Sequence, residues 1–375
     1  MADAHDIRFM QHALTLARKA VGLASPNPPV GCLIVKDGAI LGEGFHQYEL
    51  RDHAEVVALK QAGGRVRGAT LYVTLEPCNI TGRTGPCTEA VIAAGISRVV
   101  AAMEDPNPKV SGLGFARLRG AGIAVETGVL EEEAQKLNEA FSHWITTRKP
   151  LVTLKSALTL DGQLALPKKS TKKSRAGSQR EWISSEESRA EVQRLRHASD
   201  ALLTGIGTIL ADDPLLTDRS GLPRRRRLLR VILDSKLRLS LQSRIVKTAD
   251  EDLLVFTAAT LKSAKARKLQ DAGVELAGAK SIKGKIDLGA VMKELGLRDI
   301  QSVLLEAGPT LNGAALASGN VHNLVLFYAP KIASETRVPF SRGAIPKIPA
   351  LRIHKFSAFG PDLMIEASLP HGNKT

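Results

Sequence analysis

The stretch Thr70–Cys87, TLYVTLEPCNITGRTGPC, read with His53-Ala54-Glu55 upstream of it, decides the first half of this chain. A run of strand character ends at Pro77-Cys78, and Cys87 follows after eight intervening residues. His53 and Glu55 open a helical stretch, AEVVALKQAG, that stops at Gly63-Gly64. Two thiolates and one imidazole make an open site, in which zinc takes three protein ligands and keeps a fourth position for water. The metal brings that water's pKa down to about 7. A carboxylate is then needed to move protons to a ring nitrogen and a leaving amine. Glu55 lies two residues beyond the histidine, on the same helix, and reaches the site without ligating. Zinc deaminases of nucleobases use this arrangement, with a non-ligand Glu as general acid and base. The spacing predicts His53, Cys78 and Cys87 as ligands of Zn2+, preferred over iron for its soft donors, and Glu55 as the proton carrier.

Outward from this stretch, helix and strand patterns alternate. A helix from about Asp6 to Val21 precedes SPNPP and the apolar run VGCLIVK. Asp37-Gly38 is a two-residue hairpin signal, with AILGEGF on its far side. After Cys87 come a helix (TEAVIAAG), a strand (RVVAAM), a helix near Gly114–Arg119, the strand IAVET and the helix LEEEAQKLNEAF. A boundary is expected near TTRKP, where proline follows the last helix and a β-rich pattern begins at LVTLKSAL. Residues 1–147 and 148–375 therefore read as two α/β domains, the second alternating from RAEVQRLRHA through ALLTGIG, RVILD and LLVFT to a paired-strand tail. Two domains also suit 375 residues, each part being long enough to bury its own core.

Composition narrows the classes. Hydrophobic residues at 43% and charged residues at 24% describe a globular chain, and no apolar run approaches the ~18 residues that span a bilayer. The first residues lack the pattern of a secretion signal, so a cytoplasmic location is expected. Three cysteines cannot build a disulfide framework; Cys32, within VGCLIV, reads as a strand residue, which leaves two for chemistry. The formal charge of +14 suggests nucleic acid, yet 11 of the excess cations fall in two runs. These are Lys168, Lys169, Lys172, Lys173, Arg175 and Arg180, then Arg224–Arg227 and Arg230. Neither run interleaves aromatics for base stacking, so both read as solvated loops and no nucleic-acid partner is expected.

With its other blocks, SPNPPVG, EDPNPKVSG, TLKSALTLDGQLA, TGIGTILADDPLLT and EAGPTLNG, the sequence resembles the bifunctional deaminase and reductase family of riboflavin biosynthesis. The long GRT-containing loop between the cysteines carries part of that resemblance; nucleic-acid deaminases of the superfamily use P-C-x-x-C instead. The resemblance implies a cytidine-deaminase-like three-layer domain followed by a dihydrofolate-reductase-like domain, both α/β. It also implies Zn2+ and NADPH as cofactors, a phosphorylated pyrimidine as substrate, and a homodimer. Carried over by motif, Asn27 and His46 would line the deaminase pocket. Ala157, Trp182, Thr208, Asp212 and Ser235 would contact NADPH, together with Gly308, Pro309, Thr310, Leu311, Asn312 and Gly313 at the start of a helix, whose free N–H groups suit a phosphate. Arg196, Leu216, Arg219 and Glu306 would hold substrate. Three departures stand out: Asn79-Ile80-Thr81 replaces a histidine-bearing SHH or SHY, Leu50 replaces a glycine, and a basic insertion fills 165–181. Two other readings compete: a deaminase whose second half is only a scaffold, and a nucleic-acid deaminase, against which the cysteine spacing argues.

Overall fold

The computed structural model describes residues 3–166, 182–282, 284–345 and 350–370. The chain forms two compact units. The first comprises Met1–Lys149 together with Pro223–Arg226, and the second comprises Pro150–Leu222 and Arg227–Thr375. The basic insertion lies outside the described residues, apart from its first two positions.

In the first unit, α1 (Ala4–Lys19) precedes the hairpin of β1 (Gly31–Lys36) and β2 (Ala39–Phe45). Asp37 and Gly38 turn it with φ of 50° and 78°, the left-handed pair that a two-residue hairpin requires. Then follow α2 (Ala54–Ala62), β3 (Thr70–Val73), α3 (Cys87–Ala93), β4 (Arg98–Ala101), α4 (Leu113–Gly120) and β5 (Ala124–Thr127). The sheet order is β2-β1-β3-β4-β5, antiparallel up to β3 and parallel beyond it. Gly31 pairs with Phe45 and Cys32 with Gly44, so Gly31 and Gly44 face opposite sides of the sheet. A Cβ on Gly31 would lie 2.1 Å from the Ala13 carbonyl of α1, and one on Gly44 would lie 2.1 Å from the Ala54 carbonyl of α2. Each helix thus presses on its own face, giving three layers around a core that includes Leu14, Leu33, Leu71, Val99 and Leu118. The expected single helix LEEEAQKLNEAF is two, α5 (Glu131–Leu137) and α6 (Glu139–Thr147). Asn138 breaks it, with φ −97° and ψ 9° and its side chain turned back onto the Ala134 carbonyl.

The second unit is built on β6 (Leu151–Thr159), α7 (Glu186–His197), β7 (Ala201–Gly205), α8 (Ile206–Asp212), β8 (Leu229–Leu233), α9 (Arg244–Lys247), β9 (Leu253–Thr257), α10 (Ala264–Asp271) and β10 (Glu275–Gly278). After the short pair β11 (Ser281–Ile282) and β12 (Lys285–Ile286) come α11 (Leu288–Leu297), β13 (Ser302–Leu305), α12 (Pro309–Ala317), β14 (Asn323–Ala329), β15 (Arg352–Phe359) and β16 (Asp362–Ser368). Nine strands form one sheet in the order β10-β9-β8-β7-β13-β6-β14-β16-β15. It is parallel from β10 to β14, with β16 and β15 added antiparallel. Among the described residues no helix is long and apolar enough to cross a membrane.

The run Arg224–Arg230 is not the solvated loop that its composition predicts. Arg224, Arg225 and Arg226 are half-buried. Arg230 is fully buried, bound to Asp252 (2.6 Å) and to the Thr248 carbonyl (2.8 Å).

Candidate functional site

Two helix N-termini meet the end of β3. His53 is the extended residue just before α2, Cys87 is the first residue of α3, and Cys78 lies in the turn after β3. His53 Nδ1 lies 3.5 Å from Cys78 Sγ and 3.2 Å from Cys87 Sγ, and all three donor atoms fall within 4.8 Å of one another. Tetrahedral zinc bonded to nitrogen and sulfur at its usual lengths separates such donors by about 3.5 Å, so the triad fits that ion. The positive ends of α2 and α3 favour the thiolate form. A hydrogen bond from Cys87, helped by His53, draws the Cys78 thiol down to about 4, while the same sharing and burial push Cys87 up. A dithiol holding one proton between its sulfurs can give it up when a cation arrives.

Glu55 is on the first turn of α2 with 3% of its surface exposed. Burial, reinforced by the Cys78 charge, raises its carboxyl to about 7, close to what a group that both takes and gives a proton at neutral pH needs. His46 lies beside His53, their rings edge-on at 5.1 Å. Its Nδ1 is 3.0 Å from the Asp52 carbonyl, which can only accept, so Nδ1 carries the proton and Nε2 accepts from Asn27 Nδ2 at 3.0 Å. Burial lowers His46 to about 4 and keeps it neutral. The structure therefore brings Asn27, His46, His53, Glu55, Cys78 and Cys87 together.

Sequence reasoning missed the carboxylate that shapes this corner. Glu76 is buried and accepts four backbone N–H groups, from Asp105 (3.1 Å), Gly112 (3.0 Å), Gly114 (2.8 Å) and Phe115 (3.2 Å). It ties the loop after β4 to the segment carrying Cys78. An acid interrupting the apolar run VTLEPC was the available signal. Asp105 on that loop is raised to about 6, mainly by burial. Of the departures, Asn79 accepts from Thr88 Oγ1 at 2.9 Å. Leu50 is exposed in a short 3-10 turn, and the positive φ there (66°) belongs to Arg51, so the leucine needs no glycine-like backbone.

In the second unit Arg196, on α7, forks onto Glu306 just past β13, Nε to Oε1 at 2.7 Å and Nη2 to Oε2 at 3.0 Å. Lys155 of β6, also missed, has its Nζ 3.8 Å from Glu306 Oε2; a lysine inside the apolar strand LVTLKSALT was the signal. Burial alone would raise Glu306, but Arg196 and Lys155 outweigh it and hold the carboxyl at about 2. Burial lowers Lys155. Arg219 is exposed, its amide bonded to Gln193 at 2.8 Å, and neighbouring burial and Arg196 lower it. The Leu216 side chain packs in the core with φ of 56°.

The residues expected at the cofactor come from several elements of the second unit. Ala157 is in β6, Thr208 and the exposed Asp212 are on α8, and Ser235 follows β8 with its carbonyl bonded to Ala258 N. Gly308 caps α12, and Pro309–Gly313 form its first turns. Within that turn Gly313 serves packing, since a Cβ there would lie 1.9 Å from the Arg342 carbonyl, and Leu311 lies against Gly205. Trp182 is half exposed, with Arg189 over its ring at 5.2 Å. Three wholly buried groups, Thr204 Oγ1, Asp234 Oδ1 and Asn312 Oδ1, have no partner among the described residues. Such orphaned atoms near the ends of β7 and β8 and on α12 fit a cofactor bearing N–H and O–H donors.

Comparison with known proteins agrees with both halves. Residues 3–103 match the family model of the cytidine and deoxycytidylate deaminase zinc-binding region, and residues 150–365 match the RibD C-terminal domain. The riboflavin biosynthesis protein RibD of Aquifex aeolicus is 42% identical over 362 residues, 96% of this chain and 97% of that protein. The Escherichia coli RibD is 40% identical over 96% of this chain and 98% of its own length. A solved structure from Thermotoga maritima, a diaminohydroxyphosphoribosylaminopyrimidine deaminase/5-amino-6-(5-phosphoribosylamino)uracil reductase, superposes with a TM-score of 0.83 at 37% identity. It covers 98% of this chain and 99% of its own. With a zinc-type triad in one unit, a cofactor cradle in the other and relatives matched nearly end to end, this chain belongs to the RibD family of bifunctional deaminase and reductase enzymes of riboflavin biosynthesis.

Proposed function

We propose that the first unit hydrolyses the 2-amino group of 2,5-diamino-6-(5-phosphoribosylamino)pyrimidin-4(3H)-one, releasing ammonia. The second unit then reduces the ribosyl side chain of 5-amino-6-(5-phosphoribosylamino)uracil to ribityl with NADPH. The observation that carries the reading is the buried Glu55 carboxyl, raised to about 7, beside a His and two Cys whose donors already sit at zinc spacing.

His53 Nδ1, Cys78 Sγ and Cys87 Sγ would hold zinc, which when bound would supply Lewis-acid activation of water. Glu55 takes the proton that water loses, hands it to the ring nitrogen, and assists a second transfer to the departing amine. Asn27, its N–H committed to His46, offers Oδ1 to an N–H of the pyrimidine. Neutral His46 holds that amide in place. In the second unit, Lys155, Arg196 and Arg219 face Glu306 and, beyond them, Asp218, an excess of cations that suits a phosphorylated substrate. Lys155 Nζ keeps a proton beside Glu306 for the reduction. The Gly308–Gly313 turn and the orphaned groups of Thr204, Asp234 and Asn312 receive NADPH.

The test is to follow ammonia and NADPH together, with the unreduced diaminopyrimidine nucleotide as the only substrate. Ammonia should appear first and NADPH oxidation follow it; ammonia without NADPH loss would mean a deaminase carrying a scaffold. We also propose a cytoplasmic location, where Cys78 and Cys87 stay reduced, and a homodimer, the commonest closed assembly. A sedimentation mass of one chain would exclude the dimer.

A further inference from the structure

Four residues far along the sequence complete the first unit, and they touch the two loops that frame the deaminase pocket. Arg225 donates its backbone N–H to the Gly22 carbonyl (2.8 Å) and Nη1 to the Ser25 carbonyl (2.8 Å). Its Nε meets Glu49 Oε1 at 2.7 Å, and its guanidinium lies over the Tyr48 ring, 3.9 Å from the centroid. Arg83, from the loop between the two cysteines, lies over the same ring at 4.1 Å and donates to the Tyr48 carbonyl at 3.1 Å. Arg226 Nη2 adds a bond to Ser25 Oγ at 3.1 Å. One clasped loop, 22–27, ends in Asn27; the other, 47–51, runs on to Asp52, whose carbonyl fixes His46. The links run from Arg225 through these loops to the Asn27–His46 pair and so to the neighbour of ligand His53.

We propose that Arg225 is a positioning residue of the deaminase: it sets Asn27 and His46 for the pyrimidine, so that deamination depends on a segment encoded in the reductase half of the chain. The reason is geometric. Ser25 is bonded by both Arg225 and Arg226, and a planar fork that bonds a carbonyl and a carboxylate while stacking on tyrosine fixes three groups at once. The arginine run that the sequence left as surplus charge thereby gains a function. The inference rests on the roles proposed above for Asn27 and His46.

The experiment uses the full-length, zinc-loaded protein and the diaminopyrimidine nucleotide. In Arg225→Ala the KM of deamination should rise about tenfold, the usual cost of losing a group that orients a site residue, with kcat, zinc content and reduction of the deaminated nucleotide unchanged. Arg225→Lys keeps the charge without the fork and should stay impaired; recovery of the parent KM would show an attraction for phosphate instead and overturn the proposal. In an Asn27→Ala background, Arg225→Ala should add nothing, because it acts through Asn27; additive effects would overturn the proposal. So would an unchanged KM, or a loss of zinc in step with activity. Should the parent protein release no ammonia from the nucleotide, the functional reading itself fails, a result separate from any of these.

Discussion

At the scale of single residues, the charged neighbours of an enclosed group decide its chemistry. Glu55 is buried and Glu306 mostly so, yet one is raised to about 7 and the other held at about 2. Glu55 lies beside the negative charge of Cys78, whereas Glu306 has a guanidinium fork and an ammonium group. The first is suited to moving protons and the second to staying charged. Glu55→Gln keeps size and burial but cannot shuttle; deamination should fall by about three powers of ten or more while zinc stays stoichiometric by metal analysis. Near-parent ammonia release would remove Glu55 from its role. For Glu306 the sign follows from a depressed pKa: its contribution to stability is complete above the ordinary value of 4.5 and is lost as pH falls toward about 2. Glu306→Gln takes from Arg196 and Lys155 the carboxylate they share, a loss of about 3–5 kcal/mol in comparable buried pairs. Reduction should fail in that variant while ammonia release continues, and its acid unfolding between pH 4.5 and 2 should flatten. Equal acid sensitivity in parent and variant would show that Glu306 is not the group lost.

At the scale of elements, the first unit works because β3 ends where α2 and α3 begin. The ligands were legible in the sequence because each marks a boundary: His53 before a helix, Cys78 after a strand, Cys87 opening the next helix. The hairpin at Asp37-Gly38 was legible for the same reason, since left-handed turns restrict the residue types allowed. What pattern cannot show is a group whose partners are all backbone. Glu76 binds four N–H groups, from the loop after β4 and the start of α4, the first of them 29 positions away, and no local periodicity encodes that. The break at Asn138 escaped likewise, because the apolar rhythm continues through it. Glu76→Gln supplies an amide donor where only N–H groups point, so at least one contact becomes repulsive. A loss of about 1–3 kcal/mol is expected in the unfolding of the first unit, with deamination reduced and NADPH-dependent reduction untouched. Glu76 would be a passive core residue if calorimetry of the variant showed the transition of the first unit unmoved.

At the scale of the whole molecule, charge placement and metal dependence separate the two activities. The excess of cations first suggested nucleic acid, but composition cannot tell a solvated arginine from Arg230, wholly buried on Asp252, or from Arg225, stacked on Tyr48. Only the three-dimensional pairing turns a sum of charges into a partner list. The His53–Cys78–Cys87 triad, in the first unit, is the one group of three or more metal-type ligands among the described residues. Removing zinc with a chelator should therefore abolish ammonia release and lower the thermal stability of the first unit, because binding that favours the folded state contributes to its stability. Reduction of the deaminated nucleotide by NADPH should keep its rate in the same sample, and readding zinc should restore ammonia release. If chelation stopped both reactions, the second unit would depend on the folded state of the first, and the two activities would share one stability as well as one chain.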